Sequence, residues 1–143
     1  MGTRDSAVAR AGDLELRIAV AGTDLRVALR NLGDRSLAVQ YAVEGPGGRR
    51  HHDALSARLV SPDGERTLRF TGNRNVSDSG VVELAAGEAA ADVLDLAAWA
   101  LAEINGGTPL AAGDHELTAT YRPDIPGAWS GTIGAGPVAL RVP

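Results

Sequence analysis

The segment GPGGRRHHDA, residues 45–54, gathers the side chains best suited to chemistry in this chain. Arg49, Arg50, His51, His52 and Asp53 could in principle ligate a metal, exchange protons or bind an anion. A metal site needs ligands that converge on one point. On a strand, His51 and His52 would project to opposite faces, because successive side chains alternate. On a loop they could converge with Asp53, or with His115 from elsewhere, and no ligand spacing supports either arrangement. Catalysis needs a nucleophile with a base in hydrogen-bond reach, and no G-x-S-x-G motif is present. The segment therefore reads as a solvated connection that follows the turn residues Gly45, Pro46, Gly47 and Gly48. Replacing His51, His52 and Asp53 together by alanine is expected to leave the fold intact. The charge of Arg49, Arg50, His51 and His52 marks a surface for an acidic partner.

Three other stretches invite a chemical reading. HELTA, residues 115–119, begins like the H-E-x-x-H of zinc peptidases, but its fifth residue is Ala119. It also alternates like a strand, whereas the zinc motif needs a helix to put both histidines on one side. FTGNRNVSDSG, residues 70–80, has oxygen ligands in Asn73, Asn75 and Asp78 without calcium-loop spacing, and reads as a polar loop. Trp129 stands between DIPGA and SGTIG, near a loop. It either covers the end of the core or anchors a partner, and core cover is favoured because tryptophan is usually mostly buried. No catalytic, metal or cofactor-binding residue is assigned, and no cofactor is expected.

Composition bounds the remaining classes. The chain has 143 residues, a net charge of -4 and no cysteine. It is long enough to bury a core without metal or disulfide. A mildly acidic balance argues against nucleic acid, which selects a basic surface. All 14 basic residues are arginine, which with the abundance of alanine suggests a GC-rich bacterial genome. No apolar run approaches the length of a membrane span, and the first residues lack the apolar stretch of a secretory signal. A cytoplasmic protein without membrane association is expected.

The elements that must hold these residues follow from a period of two. DLELRIAVAG sets Leu14, Leu16, Ile18 and Val20 against Glu15, Arg17 and Ala19, as a half-buried strand does. TDLRVALRN, SLAVQYAV, LSARLVS, ERTLRFTG, VVELAAGE, AADVLDL, HELTATYRP and PVALRV continue the series. The clusters NLGDRS and PDG supply turns between them. About nine short strands at this spacing predict an all-β antiparallel sandwich. Leu14, Leu16, Ile18, Val27, Leu29, Val39, Tyr41, Leu59, Leu117 and Val138 are predicted to lie in its core. DLAAWALAEING breaks the pattern: Leu96, Trp99 and Ala100 fall at helical spacing, which predicts one short helical segment near residues 96–104, ended by Asn105, Gly106 and Gly107. Residues 1–12 read as a flexible tail and residues 13–143 as a single domain.

VALRNLGDRSLAVQ, ARLVSPDGERTLRFTG, VELAAGEAAADVLDL and PLAAGDHELTATY together resemble bacterial immunoglobulin-like domains. The layout is similar to the non-catalytic N-terminal domains of deuterolysin-type peptidases and to the intracellular proteinase inhibitor family. The resemblance covers most of residues 14–142, and its motifs describe turns and sandwich edges. It implies an immunoglobulin-like sandwich and no inhibitory residue, since none is matched. His115 stands where those families usually carry an aromatic. The resulting expectation is a non-catalytic module that binds another protein through loops or edge strands, with self-association open. The alternative is a proteinase inhibitor or pro-domain that offers a loop to an enzyme cleft. Arg49, Arg50, His51, His52 and Trp129 are the expected contact residues.

Overall fold

The computed structural model describes residues 4–44, 50–71 and 80–143. Eleven strands form antiparallel sheets, accompanied by one short helix. The first hairpins are built by glycine. β1 (Ser6–Ala11) turns at Gly12, with φ +57°, into β2 (Leu14–Ala21), and β2 turns at Gly22, with φ +60°, into β3 (Asp24–Asn31). Both glycines take the left-handed backbone that other residues adopt only at a cost. β9 (Ala89–Asp95) completes a four-stranded sheet in the order β1-β2-β3-β9.

The second sheet runs β11-β10-β6-β5, with β7 also paired to β6. β5 (Val43–Glu44) meets the start of β6 (Arg50–Ser61), and β6 forms the PDG-linked hairpin with β7 (Gly64–Phe70). β10 (Gly113–Tyr121) lies between β6 and β11 (Ile133–Val142). A small third sheet pairs β4 (Leu37–Gln40) with β8 (Val81–Leu84). The two large sheets stack face to face, and one apolar core fills the space between them.

Nine of the ten predicted core residues are buried, from Leu14, Leu16 and Ile18 on β2 to Leu117 on β10 and Val138 on β11. Tyr41 is only half-buried, because the chain leaves β4 one residue earlier. Asn31 is one of the polar residues buried in this interior. Its side-chain amide donates to the carbonyls of Arg35 and Leu84 and its oxygen accepts from the Gly33 N–H, so the NLGD turn is tied from within.

The helical segment divides in two. α1 (Leu96–Ala100) is capped by the Asp95 carboxylate, which accepts from the Ala98 N–H, and a 3-10 turn follows at Glu103–Asn105. Leu96, Trp99 and Ala100 face inward as the spacing predicts. One expectation is corrected. The supposed flexible tail 1–12 contains β1, which pairs with β2 along its whole length. The strand is hard to read because Ala7, Ala9 and Ala11 are its inward residues, and alanine carries little strand signal.

Candidate functional site

The RRHHD segment is not a loop from Arg50 onward. It is the start of β6, and His51 and His52 are both buried. Arg49 lies outside the described residues. The strand does send the two imidazoles in different directions, but both directions are covered. His51 packs edge-on against Trp99 of α1, with ring centroids 5.7 Å apart. His52 meets Tyr41 edge-on at 5.2 Å, and its Nε2 stands 2.8 Å from Asp92 Oδ2 on β9 of the opposite sheet. Replacing both histidines by alanine would therefore open the interior, which corrects the expectation that the fold would be indifferent. Asp53 is exposed and accepts from the Thr71 hydroxyl.

Charge gathers beside this contact. Arg50, about half exposed, lies 3.6 Å from the other oxygen of Asp92. Burial holds the His52 pKa below its ordinary value, and the neighbouring Asp92 opposes that effect only in part. The second ring nitrogen, Nδ1, has no partner in hydrogen-bond geometry, although the Tyr41 backbone lies near enough to favour its proton. Burial and Asp92 push the Tyr41 phenol up to about 12. Its hydroxyl has no partner in hydrogen-bond geometry, although Arg50 lies near enough to oppose that rise. The fully buried imidazole joins the two sheets through this contact.

Trp129 is fastened to the body of the protein. It stacks on Tyr121 with centroids 5.9 Å apart, and its backbone N–H donates to the Ala38 carbonyl at 2.7 Å. Gly131 makes room for the indole: a side chain there would begin 2.8 Å from the ring. Tyr121 in turn donates to the Gln40 carbonyl, and the Asp124 N–H to the Gln40 side chain. These contacts fit core cover. His115 is buried on β10 beside the Ala111 carbonyl, so HELTA is strand and not a zinc helix. Among the described residues no group of three or more His, Cys, Asp or Glu stands close enough to hold a metal.

One further surface was not announced by local motifs. On the outer face of the four-stranded sheet, register sets Ser6, Ala19, Arg26 and Val93 in one row. Val8, Arg17, Ala28 and Ala91 form the next, then Arg10, Glu15, Arg30 and Ala89. Small apolar residues make a floor and arginines stand over it. A groove of about 520 Å³ runs across it past Arg17, Ala19, Arg26, Ala28, Ala91 and Val93. Val8 and Val93 are more than half exposed. Glu15 is the single carboxylate in these rows; it sits 3.6 Å from Arg17 and its side chain is only 15% exposed. Arg10 and Arg30 bond to the carbonyls of Gly12 and Gly87, and Arg26 has no ion pair among the described residues. Asp24 and Asp95 stand at one end of the face, where Asp95 is engaged in capping α1.

The outer face of the other sheet is different. Arg58 pairs with Glu65, and Arg141 with Asp114 at 2.9 Å. Arg69 and Arg122 line a pocket there together with Asp53, and Glu116 stands on the same face. The signal for the first face was present in the alternation of LRIAVAG and LRVALRN, where the polar positions are filled by arginine and alanine. Reading it required the register that brings those strands together.

Among the described residues no helix is long and apolar enough to cross a membrane. Compared with known proteins, the chain matches no family model, no curated protein and no solved structure.

Proposed function

We propose that the chain is a non-catalytic interaction module of immunoglobulin-like layout that recognises another protein through the outer face of its four-stranded sheet. The observation that carries this reading is the contrast between the two outer faces. One pairs Arg58 and Arg141 with exposed carboxylates; the other holds four arginines over a floor of alanine and valine, with the shielded Glu15 beside Arg17. Arginine is enriched at protein interfaces and among their hot spots. The layout of two stacked antiparallel sheets, with the turn motifs quoted above, supports the immunoglobulin-like description. The buried placement of the histidines supports the absence of catalysis.

The inhibitor alternative would need a protruding loop. Among the described residues, the long link between β10 and β11 is instead tied down through Trp129 and Asp124, which favours the sheet face.

A photo-crosslinking residue placed at Ala28 in cells tests the reading, with Thr118 on the other outer face as control. The expected result is a discrete adduct with a different protein from position 28 and none from position 118. Equal yields from both positions, or none from either, would overturn it.

A further inference from the structure

The arginine face also specifies what kind of partner segment fits it. Resting on the reading above, we infer that the groove takes an extended segment of a partner protein with carboxylates at alternate positions and small apolar residues between them. Arg17 and Arg26 are diagonal neighbours: Arg17 pairs with Ala28, and Arg26 with Ala19. Such diagonal positions on adjacent strands are about 7–8 Å apart. Side chains on one face of an extended chain recur every two residues, about 6.8 Å. A chain laid over the face can therefore set one carboxylate against each guanidinium.

The floor imposes the second requirement. Ala19, Ala28 and Ala91 rise little above the backbone, so an incoming main chain can approach closely between the arginine stems. Large side chains at the intervening positions would hold it away. The charge pattern also selects against other occupants. In a face-to-face contact between two copies, Arg10, Arg17, Arg26 and Arg30 of one would oppose the same four of the other, a like-charge arrangement that costs stability. The one carboxylate among them, Glu15, is too shielded to bridge across.

The test is binding of a fluorescein-labelled peptide of alternating alanine and glutamate, followed by anisotropy on the full chain. Comparison ligands are the matching alanine–lysine peptide, oligothymidylate and phosphatidylserine vesicles. The Ala/Glu peptide should bind, and binding should weaken as salt is raised. Arg17→Glu with Arg26→Glu should reduce affinity at least about tenfold, as loss of one or two charge-assisted contacts would. Arg58→Glu with Arg69→Glu on the other face should leave it unchanged. If charge reversal disturbs the thermal midpoint, Arg17→Gln with Arg26→Gln should give the same loss in a folded protein. No binding of the Ala/Glu peptide, or binding that survives both substitution pairs, would overturn the inference. Tighter binding of oligothymidylate or of the vesicles would overturn it by naming a different class of partner. A crosslinked partner at position 28 with no peptide binding would reject this inference alone and leave the proposed function standing.

Discussion

His52 on β6 and Asp92 on β9 join the two large sheets through a single contact of 2.8 Å between Nε2 and Oδ2. The imidazole is fully buried, and Arg50 stands on the other oxygen of the same carboxylate. These polar contacts cross a mainly apolar seam.

The consequence is a specific acid sensitivity. Because burial lowers the His52 pKa, the folded protein binds fewer protons than the unfolded chain between that lowered value and the ordinary one. The stability contributed by the neutral imidazole is complete above the ordinary value of about 6.5. It is lost as pH falls from there toward the lowered value. Thermal midpoints taken between about pH 7.5 and about pH 5 should decline, and should decline less steeply in His52→Gln. Equal slopes in the two proteins would show that His52 does not contribute.

Trp129→Ala should cost stability by about 2 kcal/mol or more, since it removes the stack on Tyr121 and opens the end of the core. Denaturant titration measures this directly. Partner binding at the sheet face should be unaffected in the remaining folded protein. A variant with unchanged stability and lost binding would make Trp129 an anchor instead.

The strand positions and the helical turn were legible in the sequence because period-two and helical spacing report burial directly, as at Leu14, Leu16 and Ile18 or Leu96, Trp99 and Ala100. What alternation cannot report is what covers each face of a strand. RRHHD has the composition of a loop, yet Trp99 and Tyr41, distant in sequence, enclose its two histidines. The candidate site was hidden for a related reason. Arg17 and Arg26 look like ordinary solvated positions until the β2–β3 register places them side by side. The segments 45–49 and 72–79, where Arg49 and the loop residues Asn73, Asn75 and Asp78 fall, lie outside the described residues.

Arg66 holds the helical insertion in place. Its guanidinium reaches the carbonyls of Ala100, Asn105, Thr108 and Pro109, while the Asn105 side chain bonds to both the N–H and the carbonyl of Arg69. Arg66→Met should leave these carbonyls to water and lower stability by about 2 kcal/mol. Hydrogen exchange should then quicken over residues 96–107 and stay unchanged on β2 and β3. Uniform acceleration across the chain would mean that Arg66 supports the whole fold rather than this segment.

The central claim is that recognition resides on the outer face of the four-stranded sheet. Backbone amide shifts recorded during titration with the alternating alanine–glutamate peptide locate the contact most directly. The account predicts that the perturbed amides centre on Arg17, Ala19, Arg26, Ala28, Ala91 and Val93, and that they fall away toward β10 and β6. Perturbations centred on Thr118, Arg58 and Arg69, or on the link around Trp129, would contradict it.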